Sequence, residues 1–580
     1  MHRLKVVKVA AIAACLAMVL AACGGDGGGE TPPAGGGAQG QGVKGGTLRM
    51  ISNADVDYLD TADAYSTVGF SLERLYSRQL YSFDSTKTGN ELNVPVPDLA
   101  DGAAQISSDN TTFTFKIRKG VKWAPPGTGE VTAEDFVRGV KRMYDKTTPS
   151  GGQSYSNLIQ GAEEFGAGKA KEISGLVASG DTLTITLKKP AADFLSILSM
   201  PFFSPVPKEA EKYKVGADYS KHVIGSGPYT LKEYVPTKSM EFIRNTNWDP
   251  ATDPLRKAWV DRVTVREGLE PDAIQQTIES GDADISMDTI PPNAALQRLS
   301  TDATLKQQFS VQTTGCTRYF TFGTTSASDT PQAKISDVKV RQAVNYALDK
   351  VALQRARGGP FAGDPASTIL TPTLLGYQKF DLYPSADFKG DVAKAKQLLT
   401  EAGYPNGLTL NYVGGNAGAG ARVNTAAQAS LARVGITLKQ KLFSGFALYT
   451  DSLGLPAKAK EHQMGNAGWC PDYPGDGARS FIVPLLDSRS IIPAGNSNYG
   501  LYDNADVNTK IDQALAEPDQ AKRATLWGEI DKQIMEDAPW APYLYDKTQF
   551  FWSKRVKNWI WTAWSNEADY AAMWLNPNTP

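Results

Sequence analysis

Between residues 261 and 285 the chain spells a strand, a helix and a second strand with few residues to spare. Residues 261–265 alternate, with Val263 and Val265 on one face; Pro271 opens a stretch carrying Ile274 and Ile278 one turn apart; Gly281 follows; and Ala283-Asp284-Ile285 resumes an extended run. Proline fits the first helical turn, where its missing N–H costs no hydrogen bond, and glycine readily ends a helix. A strand–helix–strand unit of this length predicts mixed α/β layers.

The same pattern recurs along the chain. Residues 46–50 predict a first strand, and a loop over 55–65 with Asp57, Tyr58, Asp60, Asp63 and Tyr65 leads to a helical stretch over 69–80. That loop suits either a polar site or a helix cap. Phe113, Phe115 and Ile117 fall on one face of an alternating run over 112–118. Thr132 with Asp135 three residues on predicts a capped helix whose apolar stripe is Phe136, Val137, Val140, Met143 and Tyr144. Residues 182–187 alternate again. Val340, Ala343, Val344, Ala347, Leu348 and Val351 keep a helical period behind Asp337, and Val392 to Ala402 do so before Gly403. Strands at 408–412 and 436–442 enclose another helix, so a second alternating α/β lobe begins after about residue 312.

The N-terminus has a basic start at Arg3, Lys5 and Lys8 and an apolar run from Ala10 to Leu20, too short to span a bilayer comfortably. It predicts an export signal. Leu20-Ala21-Ala22-Cys23 resembles the lipobox of bacterial lipoproteins, which implies cleavage before Cys23 and a lipid on its thiol. From residue 24 to about 46 the chain is Gly-, Gln-, Pro- and Ala-rich, a flexible tether spanning roughly 25 Å. Loss of the signal removes three cations and no acid, so the formal charge of −2 becomes more negative, which argues against nucleic acid as a partner. About 530 residues remain, enough for two or three lobes. Cys316 and Cys470 are left as one even pair in an exported protein, the setting in which a disulfide is expected.

Gly468-Trp469-Cys470-Pro471-Asp472-Tyr473 combines a cysteine, an acid and two large aromatics before the turn residues Pro474-Gly475-Asp476. An acid flanked by rings can pair with a cation while the rings exclude water. The same six residues also suit a core tryptophan, a turn aspartate and a buried thiol.

The chain resembles the large extracytoplasmic solute-binding proteins of the oligopeptide, dipeptide and nickel type. The resemblance rests on Pro97-Asp98-Leu99-Ala100, the run from Phe113 to Trp123, Val131-Thr132-Ala133-Glu134-Asp135-Phe136, Gly225-Ser226-Gly227-Pro228-Tyr229, Ser280-Gly281-Asp282-Ala283-Asp284 and Val338 to Val344. It implies a type II periplasmic-binding-protein fold: two large α/β lobes plus an inserted domain, with hinged closure. The segments are then a lipoprotein signal at 1–22, a tether at 23–46, lobe I at 47–90, 223–312 and 545–580, lobe II at 91–222 and lobe III at 313–544. It also implies an ABC permease and separate ATPase subunits as partners, a monomer outside the cell membrane held by the lipid on Cys23, and no cofactor or metal.

In peptide-binding members the motif Trp-Cys-x-Asp-Tyr lies in the binding site and its acid receives the peptide's amino group. The resemblance therefore assigns ammonium binding to Asp472, with Trp469, Tyr473, Cys470, Asn466 and Tyr65 as further ligand contacts. It also supports a bridge from Cys316 to Cys470. Two departures bear on the ligand. Where oligopeptide binders can carry an arginine this chain has Asn466, and Phe322-Gly323-Thr324 stands where an asparagine is common. The expected solute is a short peptide; an oligosaccharide, opine or metal complex is the alternative. Only His222 and His462 follow the signal, and the Gly-x-Ser-x-Gly, His-Glu-x-x-His and phosphate-loop patterns are missing, which leaves a secreted carboxylate-dependent hydrolase as the distant enzyme reading.

Overall fold

The computed structural model describes residues 42–579 apart from 149 and 288; the signal, Cys23 and most of the tether lie outside the described residues. Three larger sheets carry the architecture. The first has five strands in the order Ile285–Ser286, Thr47–Ile51, Arg262–Arg266, Ser239–Arg244 and Tyr229–Val235. The strand–helix–strand unit read from the sequence is present, with helix Pro271–Glu279 and Gly281 at φ +82°. Its two strands are not neighbours: Thr47–Ile51 lies between them and runs parallel to both. The N-terminal strand thus enters a slot whose walls come from more than 200 residues later, a pairing invisible to local periodicity.

The second sheet is antiparallel, in the order Gln105–Ile106, Thr112–Lys116, Thr182–Thr186 and Leu176–Ser179. Phe113 and Phe115 face a core with Leu183 and Ile185 and the helix Ala133–Arg142. That helix starts at the expected capping box between Thr132 and Asp135.

The third sheet has six strands: Gly363–Asp364, Trp540–Phe551, Phe309–Phe322, Met464–Trp469, Leu408–Gly415 and Ile436–Phe443. Separate apolar clusters are built around Phe320, Leu410 and Tyr543 and around Tyr319, Phe481 and Trp540. The long strands Phe309–Phe322 and Trp540–Phe551 pair antiparallel along their length. Their far ends reach the first sheet, where Phe550 packs with Tyr229 and Phe551 with Ile51. Two adjacent strands therefore carry the chain between the first and third sheets.

Two helices differ from their sequence reading. The stretch 69–80 is helical only over Thr67–Tyr76; Ser77 is extended, which turns the buried Arg78 and Gln79 into the core. The continuous period over 340–351 divides into Val338–Ala347 and Lys350–Arg357, because Asp349 turns out of the helix and caps the next one through the Ala352 amide at 2.8 Å. An Asp at an N-cap competes with helix continuation, and apolar spacing alone does not register that.

Candidate functional site

The strand Met464–Trp469 lies beside Phe309–Phe322, with Trp469 opposite Thr317. Beyond Trp469 the strand ends at Pro471, whose nitrogen cannot extend the ladder. Cys470, one residue before the turn, is joined to Cys316. Gly315 is what lets the chains approach there: a Cβ would stand 2.4 Å from Pro471. The turn is held from below by the helix Ala478–Leu486, whose Ser480 Oγ accepts the Asp472 amide (3.1 Å) while its carbonyl accepts the Trp469 indole N–H (2.8 Å).

These contacts push the Asp472 carboxylate away from its own sheet. Oδ1 accepts from the Tyr65 hydroxyl at 2.9 Å and Oδ2 from the Tyr155 hydroxyl. Tyr65 precedes the helix Thr67–Tyr76, and Tyr155 belongs to the short helix Gln153–Ser156, packed in the core of the four-stranded sheet. One carboxylate thus ties together three separate parts of the chain. Burial pushes its pKa up to about 6, against the lowering effect of the Tyr155 and Tyr65 hydroxyls. Among the described residues no cation pairs with Asp472, and its carboxylate accepts from the two phenols.

Tyr473 points the other way and is 1 % exposed. Its hydroxyl donates to Asp193 Oδ2 at 2.8 Å, and Arg479 grips the same carboxylate through Nε (2.6 Å) and Nη2 (2.9 Å). Asp193 follows the four-stranded sheet, whereas Arg479 lies on the helix after the Asp472 turn. A buried bidentate pair of this kind fixes geometry as well as charge. Nearby, Asp476 is held by Arg523 at 3.0 and 2.8 Å.

Beside Asp472 and Tyr473 is a narrow crevice with room for little more than a water, walled by Phe70, Met200, Phe83 and Trp564 among others, with Arg74 at one side. Phe83 and Trp564 stack at 5.4 Å, and the Arg74 guanidinium lies 4.6 Å from the Trp564 ring while paired with Asp569 at 3.0 Å. The cation beside this wall is already matched.

Of the residues named from the sequence, Tyr65, Trp469, Cys470, Asp472 and Tyr473 come together at this turn. Asn466 lies further back on the strand and accepts from the Tyr543 hydroxyl at 3.1 Å. The loop over 55–65 divides its labour: Asp57 holds the helix cap Ser66 by accepting from the Tyr65 and Ser66 amides and the Ser66 hydroxyl, Asp60 pairs with Arg142, and Tyr65 reaches the site. Tyr155, Asp193, Arg479, Arg74 and Trp564 were not singled out from the sequence. Each is remote from residue 472 or sits in an unremarkable local pattern, so only the fold associates them.

Comparison with known proteins agrees with this architecture. Residues 94–486 match the family model described as bacterial extracellular solute-binding proteins, family 5 middle. Heme-binding protein A of Haemophilus influenzae is 29 % identical over 520 residues, covering 86 % of this chain and 87 % of that protein. The glutathione-binding protein GsiB of Escherichia coli O157:H7 is 26 % identical over 508 residues, covering 87 % and 90 %. Among solved structures, clavulanic acid biosynthesis oligopeptide binding protein 2 superposes with a TM-score of 0.85 at 32 % identity, covering 92 % of this chain and 96 % of its own.

Proposed function

The chain belongs to family 5 of the bacterial extracellular solute-binding proteins, the extracytoplasmic solute-capturing components of ABC importers and not enzymes, and we propose that its solute is a short peptide held by its amino end on Asp472. The fold is that of the type II periplasmic binding proteins. Its relatives are named for heme, glutathione and oligopeptides, so membership alone does not select a solute.

The observation that carries the peptide reading is the Asp472 carboxylate, which is half-buried and oriented yet, among the described residues, matched only by neutral phenols. A carboxylate offers about four lone-pair positions. The two hydroxyls occupy two of them and leave acceptor capacity for an ammonium N–H. Exclusion of water strengthens that attraction, while desolvation offsets part of it. Trp469 and Tyr473 fix the turn that presents the acid. A neutral sugar would bring no cation to the acid.

Capture proceeds by closure of lobe I (47–90, 223–312 and 545–580) and lobe II (91–222) against lobe III (313–544), with the paired strands Phe309–Phe322 and Trp540–Phe551 as the hinge. The contacts of Asp472 with Tyr65 and Tyr155, and of Asp193 with Arg479 and Tyr473, then serve as closing contacts. The closed form docks on a permease, and the protein acts as a monomer anchored by lipid on Cys23.

Mass spectrometry of small molecules released from gently purified protein tests the solute directly. A ladder of short peptides is the expected result; a single sugar, opine or metal chelate would replace the substrate and keep the fold.

A further inference from the structure

The helix Gln520–Asp537 runs through Ala538 and Pro539 into the long strand Trp540–Phe551. Arg523, Trp527 and Asp531 recur at every fourth position along it, which places them on one face, and all three are buried. Each takes hold of chain beside the Asp472 turn. Arg523 grips Asp476 through two bonds. Trp527 packs on Gly376, where an added Cβ would stand 2.6 Å from the Trp527 Cβ. Asp531 accepts the Ile369 amide at Oδ1 (3.0 Å) and the Leu370 amide at Oδ2 (3.1 Å). Burial pushes its pKa up to about 7 against the pull of these two amides, so above neutral pH the carboxylate is ionised and accepts both.

The segment 366–376 that Asp531 and Trp527 hold is fastened at both of its ends. At the first, the Tyr545 hydroxyl on the strand Trp540–Phe551 accepts the Ser367 and Thr368 amides at 3.2 and 3.0 Å, and Lys350 Nζ donates to the Ala366 carbonyl at 2.6 Å. At the second, Leu374 bridges to Gly475, and the Leu375 amide donates to the Gly475 carbonyl at 2.7 Å. A buried acid that accepts two consecutive amides can simply finish a loop. This loop, however, joins a strand shared by the first and third sheets to the turn that presents Asp472. The same helix face also grips that turn directly at Asp476.

We propose that Asp531 is a positioning residue for solute capture: through the segment 366–376 it fixes the Asp472 turn relative to the strand Trp540–Phe551, and so sets the orientation in which the Asp472 carboxylate meets an ammonium. The proposal rests on the peptide reading above and deepens it. Asp531 is sealed from solvent, so it touches no solute and acts only through the chain it holds. Asp531→Asn keeps the size of the side chain but offers one acceptor oxygen to two amides and turns an NH2 donor toward the other. One end of the segment is then released at the point where it is steered.

Titration calorimetry at pH 7.5 with trialanine and N-acetyl-trialanine tests this on the intact exported protein. Asp531→Asn is expected to weaken trialanine about tenfold and the acetylated peptide less than about threefold, a loss of preference that mere destabilisation does not produce. Added to Asp472→Ala, the same substitution is expected to change trialanine affinity less than about twofold, because its effect passes through Asp472. A folded Asp531→Asn protein with an unchanged preference for the free amine overturns the proposal and leaves peptide capture on Asp472 intact. So does an equal loss in the presence and absence of Asp472. Hydrogen exchange of the wild-type protein needs no variant: trialanine is expected to slow exchange over 366–376 together with 469–476, and protection of 469–476 alone overturns the coupling. Failure of trialanine to bind wild-type protein overturns the peptide reading and the proposal together.

Discussion

Two carboxylate clusters in this protein, one fully buried and one half-buried, are built on opposite principles. At the junction of the first two sheets, Asp98 and Asp253 meet Arg78 and Arg256, and all four side chains are fully buried. Arg78 and Arg256 bond Asp98 at 2.7 and 2.9 Å, Arg256 reaches Asp253 at 3.3 Å, and the Trp248 indole adds a 3.0 Å bond. Burial would raise the Asp253 pKa, yet Arg256 and Arg78 hold it at about 2. At Asp472 burial wins instead, and the group stands at about 6. A carboxylate matched by cations is complete and serves the fold. One matched only by phenols keeps acceptor capacity for a further donor, and on the peptide reading proposed above that donor is the solute's ammonium.

Breaking the matched cluster has the largest expected effect. Arg256→Ala leaves Asp98 and Asp253 short of a cation in a dry interior, a loss of about 3 to 5 kcal/mol. Chemical denaturation should show that loss, while the variant that remains folded keeps its preference between free and acetylated peptides. Asp472→Ala should do the reverse. Affinity for peptides with a free amino terminus should drop tenfold to a hundredfold and affinity for acetylated peptides should fall far less, with the denaturation midpoint nearly constant. Equal losses for both peptides would remove the ammonium-binding role from Asp472.

The two acids also predict opposite pH responses. For Asp253 the folded pKa lies below the ordinary value of about 4, so its stabilisation is present above that value and is lost as pH falls through about 2. For Asp472 the folded pKa lies above the ordinary value. Without solute, its contribution is complete below about 4 and is lost as pH rises through about 6. Solute binding follows the opposite course, because only the ionised form attracts an ammonium. Affinity should rise about tenfold per pH unit below 6 and level off above it, until the peptide amine itself deprotonates near 8. Calorimetry from pH 4.5 to 7.5 measures that slope; a flat profile would detach binding from Asp472.

The sequence carried one of these clusters more openly than the other. Asp472 lies inside a contiguous run of cysteine, aromatics and turn formers, so its neighbours advertised it. Asp98 was visible only as part of a family-like Pro-Asp-Leu-Ala run, and nothing near it indicated Arg256, which is 158 positions away. Strands and helices were legible wherever one face is buried and the period is clean, as at Phe113, Phe115 and Ile117. The reading failed at Leu348-Asp349, where a capping side chain interrupts an apolar period that continues on both sides. Asp531 carries no local signal at all, because its meaning depends on the Ile369 and Leu370 amides, 162 and 161 positions away.

The smallest effect gives the sharpest test of how Asp472 is tuned. Tyr155 donates to Asp472 from a buried position, and its ring meets Tyr473 edge-on at 6.0 Å. Tyr155→Phe preserves the ring and removes the hydroxyl. The carboxylate then loses a bond that lowers its pKa, and the group moves further above 6. At pH 8 most of the carboxylate is still ionised, so peptide affinity should change less than about threefold. At pH 6 the population of the ionised form falls, and affinity should fall up to about tenfold. A loss of the same size at both pH values would mean that the Tyr155 hydroxyl acts through closure or on the solute itself and not through the Asp472 pKa, because a pKa effect must fade once the pH stands well above the pKa.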